Sequence, residues 1–380
     1  MLSPALLTAL LEAERALGRL AEACQDPERR RRLWADAARR EACAAARLDG
    51  IMIDPTDFLI ATVNPDLAPT ADRQAALSVH ALWQGARFAQ GVRDATALRS
   101  RARSPMRRSK GGAAADAWRA VAALEGHANS DNDGASETFP DADEPLELDG
   151  SAAPAPWTLG WIEASWRVLE ADLSGRDPAH LSLSVEREAE AMALLNRLDR
   201  AGEAPALLGG IGLLAELLRP PPDLRTPGWL RQTARLLAPL AIARNCRLPG
   251  LWLPLSTALW SDRTAAAIAV RDSGDGWRLW LTDMVAETAR RERQRLATLD
   301  QAAQSWRRRL GDRRRNSRLP MVIDGLFERP AFTVRHLQKR LGTTFRGAQL
   351  LVNDLEDAGV LREVTHRALD RVFVAVELLP

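Results

Sequence analysis

The chain has 380 residues, 46% hydrophobic and 27% charged, proportions of a globular protein that exclude a wholly disordered or fibrous chain. At roughly 150 residues per domain, the length predicts two to three domains. Lys and Arg total 52 against 50 Asp and Glu, a formal charge of +2, which excludes strong global attraction to nucleic acid or membrane and leaves that role to local clusters.

Only Lys110 and Lys339 are lysines, so 50 of the basic residues are arginine; tyrosine is absent and tryptophan occurs 12 times, skews of the kind a GC-rich genome produces. Cys24, Cys43 and Cys246 are odd in number and form no C-x-x-C pair, which argues against a disulfide framework and a cysteine-rich zinc site. The start Met1-Leu2-Ser3-Pro4 lacks a basic segment, and Glu12 and Glu14 interrupt the early apolar run, so no secretory leader is expected. The uncharged stretch from Leu248 to Ser261 is too short for a spanning helix. A soluble cytoplasmic protein, without membrane attachment, is expected.

Residues 1–47 predict helix: Ser3-Pro4 is a start signal, and Leu6, Leu7, Leu10, Leu11, Leu17 and Leu20 recur at helical spacing, followed by a second segment from Arg29 to Leu48. After Asp54-Pro55 a third pattern runs from about Ala71 to Leu98. From Arg99 to Lys110 there are six basic residues and no acid, and from Glu125 to Asp149 nine acids and no Lys or Arg. Such like-charge blocks bury too little apolar surface to offset ordering entropy, so this stretch predicts a disordered insertion. Within it, Asn129 to Gly134 imitates a calcium loop but has Pro140 where the bidentate Glu belongs, and no metal is expected.

Helical patterning resumes over Trp157–Leu173, Leu183–Arg200, Pro205–Leu218, Trp229–Asn245 and Gly276–Leu310, without strand–helix alternation. Gly210-Ile211-Gly212-Leu213-Leu214-Ala215 fits a dinucleotide fingerprint in letters only, since no strand precedes it; close helix packing is the expected use of its glycines, and no cofactor is expected. The histidines show no metal-ligand spacing.

The C-terminal segment predicts helices at Leu319–Phe327, Thr333–Leu341 and Thr344–Ala358, then strands at Val360–Thr365 and Val372–Leu379. Three helices and a hairpin predict a winged helix-turn-helix. Its third helix would carry an apolar stripe of Leu350, Leu351, Leu355 and Ala358, and turn Thr344, Arg346, Gln349 and Asn353 outward. Arg pairs bidentately with guanine, and Gln or Asn with adenine, so this face suits a major groove. Arg367 and Arg371 in the wing suit phosphate contact, whereas Asp354, Glu356 and Asp357 would repel it. Seven arginines between Arg307 and Arg318, against Asp312 alone, lie just before this unit and would make DNA affinity steeply salt-dependent.

The stretches Phe332-Thr333-Val334, Val360 to Thr365 and Arg371 to Val374 resemble the winged helix that closes many bacterial Fic-domain proteins. Upstream, Glu41 to Gly50 resembles the Fic amino-terminal motif, His80 to Arg87 the helix after it, and Arg235 to Leu240 and Val270 to Trp277 the helices after the Fic catalytic loop. The resemblance implies a helical bundle in which a His serves as general base for nucleotidyl transfer and a Gly-Asn-Gly loop cradles phosphates. Here Arg219 stands where that His belongs, no Gly-Asn-Gly occurs between Pro221 and Ala234, and the regulatory motif carries Ala45 for its hydroxyl residue and Asp49 for its Glu. Arginine cannot accept a proton near neutral pH, so the resemblance implies a bundle without catalytic residues. Arg219, Arg231 and Arg235 remain phosphate-binding candidates.

The expectation is therefore a mainly α chain: the first part of a Fic-like bundle at 1–98, a charged disordered insertion at 99–156, the bundle core at 157–310, an arginine-rich linker at 311–318 and a small α+β winged helix at 319–380. The expected function is sequence-specific DNA binding and transcriptional regulation, by a homodimer since palindromic operators suit two-fold proteins. The alternatives are a divergent Fic-type nucleotidyl or phosphoryl transferase using ATP, and an antitoxin-like module that binds a protein partner.

Overall fold

In the computed structural model, residues 2–63, 67, 73–93, 159–174, 180–200, 206–218, 227–246, 248, 251–264, 276–311, 318–367 and 369–379 are described, and they are mainly helical. The charged insertion and its calcium-like loop lie outside these residues. The helices are α1 (Pro4–Ala23), α2 (Pro27–Leu48), α3 (Pro55–Val63), α4 (Arg73–Arg93), α5 (Leu159–Ser174), α6 (Val185–Arg200), α7 (Ala206–Leu218), α8 (Gly228–Asn245), α9 (Leu255–Ser261) and α10 (Gly276–Leu310). A C-terminal unit follows: α11 (Leu319–Glu328), β1 (Ala331–Thr333), α12 (Val334–Leu341), α13 (Phe345–Asp357), β2 (Arg362–Glu363) and β3 (Val372–Val374), closed by a 3-10 turn at Val376–Leu378.

Local chemistry explains the helix starts. Ser3 and Asp26 cap α1 and α2, accepting from the Leu6 N–H at 3.3 Å and the Glu28 N–H at 2.8 Å, and each is followed by a proline that needs no donor at that position. The apolar face of α1, from Leu6 to Leu20, packs on α10, whose buried residues Leu281, Val285, Ala289, Glu292, Leu296, Leu299, Ala303 and Trp306 recur every three or four positions. The predicted helices from 157 onward coincide closely with α5 to α8 and α10. The sequence reading passed over α3, α9 and β1, which are short and whose apolar residues are buried on more than one side.

Alanine-rich α2 is central. Ala37, Ala38, Ala42, Ala45 and Ala46 let α4 and α9 approach closely, while the same helix buries Asp36, Arg39 and Glu41 and half-buries Arg40. Asp36 receives Arg40 at 2.8 Å and Arg295 at 2.7 Å, and Glu292 of α10 receives both Arg40 amines at 2.7–2.8 Å. Burial alone would raise the Asp36 carboxyl, but Arg40, Arg295 and Arg39 more than offset it and hold it down at about 2. Such a buried network fixes how α2 sits on α10 more than it stabilises, because desolvation offsets much of the attraction.

The three-stranded sheet has the order β1–β3–β2 and is antiparallel throughout, with Phe332 opposite Phe373 and Glu363 also opposite Phe373. Its strands are shorter than the predicted 360–365 and 372–379, because residues 376–378 turn into a 3-10 helix. Alternation across the pleat divides it between two cores. Phe332 and Phe373 join the apolar cluster of α1, α10, α12 and α13, while Ala331, Val372 and Val374 join that of α2, α3 and α4. The C-terminal unit is thus packed into the helical part: the Trp306 and Phe327 rings lie 5.1 Å apart.

Candidate nucleic-acid interface

Helices α12 and α13 meet at a tight turn. Gly342 has φ +57°, a left-handed conformation that a Cβ would strain, and its N–H reaches back to the α12 carbonyls of Gln338 and Lys339. Thr344 then caps α13, its hydroxyl accepting from the Gly347 N–H at 3.1 Å. That bond fixes the hydroxyl of one predicted contact residue in a structural role.

Helix α13 buries Ala348, Val352 and Leu355. Leu350, predicted in the apolar stripe, is 58% exposed, and Leu351 and Ala358 are only partly buried, which rotates the buried face toward Ala348 and Val352. Arg346 and Asn353 are exposed on the outer side as predicted, and Gln349 is partly exposed. The Gln349 amide donates to the Asn353 carbonyl oxygen at 2.8 Å, so the two present one linked amide surface. Phe345, 50% exposed at the first turn, extends this face and was not anticipated.

The hairpin loop is built to project. His366 and Asp370 take φ +49° and +53°, and the Thr365 hydroxyl accepts from the Val372 N–H at 3.0 Å, closing the loop at its base. Arg367 is exposed and Leu369 at the tip is 78% exposed. Arg371 instead pairs with Glu363 at 3.1 Å and lies over the Phe373 ring, so its charge is committed to the hairpin's base. Exposed Arg335, Lys339 and Arg340 on α12 add cations that the sequence reading did not single out, although their i, i+4, i+5 spacing placed them on one side of a helix.

The arginines ahead of this unit are used differently from the expectation. Arg307 pairs with Asp324 at 3.1 Å. Arg309 donates to the carbonyls of Ala358 and Gly359 at the end of α13 and to Glu377, and Arg318 to the Leu341 carbonyl at the end of α12. Arg39 does the same at the end of α11, reaching the Phe327 carbonyl at 2.9 Å. Each helix of the unit thus has its negative C-terminal end met by a guanidinium from outside it. Arg313, Arg314 and Arg315 lie outside the described residues.

Two of the three phosphate candidates fall within the described residues. Arg219 lies outside the described residues, Arg231 is exposed on α8, and Arg235 pairs with Asp49 at 2.9 Å, while Gln232 donates to the other Asp49 oxygen at 3.0 Å. Gly210 to Ala215 lie inside α7, and a Cβ on Gly212 would meet nothing, so close packing does not account for that glycine. Among the described residues no group of His, Cys, Asp or Glu could hold a metal, and no helix is long and apolar enough to cross a membrane. The three cysteines are free thiols, and burial pushes Cys24 up to about 11 and Cys43 up to about 12, which disfavours the thiolate. No known family model matches the chain, and no curated protein is significantly similar to it.

Proposed function

We propose that the C-terminal unit is a winged helix-turn-helix that binds double-stranded DNA, with α13 as the recognition helix and the loop 364–371 as the wing, and that the protein regulates transcription. The observation that carries this reading is topological. The order helix, strand, helix, turn, helix, strand, projecting loop, strand, with β3 between β1 and β2, leaves the outer face of α13 uncovered and studded with Arg346, Gln349 and Asn353. An exposed helix with these donors beside a loop carrying Arg367 has the dimensions and chemistry of a major-groove reader. Asp354, Glu356 and Asp357 at the far end orient it, favouring entry by the N-terminal half.

The helical part is read as a Fic-like scaffold without catalytic groups. In support, two of the stretches that carry the resemblance meet in space, where Asp49 receives Arg235 and Gln232. A guanidinium already paired with a carboxylate is a poor phosphate ligand, which weighs against a transferase using ATP.

Selection of genomic fragments by the purified protein tests the reading. Enrichment of one sequence, read as a two-fold site by two copies, with log affinity falling by about 0.9 per phosphate contacted on a log salt axis, is the expected result. Equal retention of all fragments, or none, would refute it.

A further inference from the structure

A cavity of about 200 Å³ lies at the seam where α11, β1 and α12 pack on α2, α3 and α4. This is several times the space one water needs. Its charged wall consists of Arg39, Arg329 and Arg340, joined by His80 and His336, and among the described residues no Asp or Glu lines it. Leu59, Val322, Leu326 and Leu337 supply an apolar remainder.

Two of the wall's buried groups are left short of partners. Arg39 is 1% exposed; one of its amines serves the Phe327 carbonyl, but its Nε and Nη2 make no hydrogen bond, Asp36 standing 3.6 Å from Nη2. Behind it, Arg39, Arg40 and Arg295 gather around Asp36, with Glu292 paired to Arg40, three guanidiniums beside two carboxylates. A buried guanidinium with idle donors costs free energy that an anion would recover. The Trp83 indole Nε1–H is likewise buried without an acceptor. Arg340 is laid against the backbone of α11 because Gly325 has no Cβ; one added there would come within 2.4 Å of the guanidinium. Partial burial, with Arg329 and Lys339 nearby, lowers His336 from its ordinary value.

We infer that this seam is a binding site for a small organic carboxylate with an apolar body, held by Arg329 and Arg340 at the rim with the buried positive charge of Arg39 behind it. The carboxylate rather than a bare inorganic anion follows from the apolar wall, which would be left against water by phosphate alone. The inference rests on the cavity rather than on the outer face of α13, and Arg329, which the DNA reading does not use, separates the two in the test.

The test uses the full chain and benzoate, with benzamide as the neutral molecule of the same shape and inorganic phosphate as the anion without an apolar body. Benzoate is expected to raise the thermal midpoint saturably and to change tryptophan fluorescence, with benzamide and phosphate doing neither. Arg340→Gln and Arg329→Gln, both exposed and free to fold, should each weaken benzoate binding by roughly tenfold, the loss expected for one charge-assisted hydrogen bond. Arg39→Met should abolish it, and the two rim variants decide the matter if that variant does not fold. A benzoate response equalled by benzamide or phosphate, unchanged in the rim variants, or absent at tens of millimolar, would overturn the assignment.

Discussion

Glu41 is a carboxyl whose ionisation the fold opposes. It is buried on α2 and accepts from the Ser256 N–H at 2.9 Å. Burial pushes its carboxyl up to about 7, with the Ser256 and Thr257 hydrogen bonds and Arg235 offsetting only part of the effect. The native state therefore holds this proton more tightly than the unfolded chain, whose value is 4.5. Its contribution is fully present below 4.5 and is lost as pH rises through 7, an effect on the order of 3 kcal/mol. Asp36 acts oppositely: held down at about 2, its contribution is present above 3.8 and lost as pH falls toward 2. Denaturant titrations at pH 5 and pH 8 should show wild-type stability falling between them and Glu41→Gln nearly level. A parallel fall in the variant would show that another group is responsible. Among the predicted contacts, Arg346 is exposed and carries no structural bond, whereas Thr344 and Arg371 each hold a local structure. Alanine at 344 should lower stability by about 1 kcal/mol through the lost cap. Weakened DNA binding without any loss of stability would reverse that reading of Thr344.

At the scale of elements, long amphipathic segments were legible in the sequence and short ones were not. α10 announces itself by 35 residues of helical spacing, and α1 and α2 by Ser-Pro and Asp-Pro starts. α3 and α9 are seven to nine residues long with apolar residues around much of their circumference, so periodicity has too few turns in which to appear. β1 has three residues and exists because β3 offers it a partner, a tertiary cause that no local pattern records. The buried face of α13 was misjudged at Leu350 for a related reason: its partners on α12 and the sheet select Ala348 and Val352, and propensity says nothing of which leucine faces outward. The outward placement of Arg346, Asn353 and Arg367 was legible, since all three are exposed where the spacing put them. The seam cavity was not, because its wall joins residues of α2 and α4 to residues of α11 and α12 that lie more than 200 positions along the chain. The arginine run from Arg307 also carried a second meaning. Arg309 braces the end of α13, so Arg309→Ala should speed local opening of that end, seen as faster amide exchange at Val360 and Leu361, with α1 unaffected.

Across the whole molecule, the C-terminal unit and the helices share their cores, with Phe332 and Phe373 in one and Val372 and Val374 in the other. Thermal unfolding followed by tryptophan fluorescence and by circular dichroism should therefore give coincident transitions. Truncation after residue 318 should leave the remainder unstable, because it uncovers Trp306, Phe58 and Leu59 together. A stable, soluble truncated chain would show that the unit is a separable appendage. The +2 net charge conceals the local distribution: exposed cations stand on α12, the first turn of α13 and the wing, while Arg309 and Arg318 ahead of them are spent on helix ends. DNA affinity should then depend on few phosphate contacts and fall more gently with salt than the run of seven arginines implies. The most direct measurement of the central claim is a binding titration on the selected DNA site with Arg346→Ala combined with Gln349→Ala. The account predicts an unchanged thermal midpoint, loss of preference for that site by about 2–6 kcal/mol for two base contacts, and residual non-specific binding that persists at low salt. Full retention of site preference in the double variant would contradict the assignment of α13 as the recognition helix.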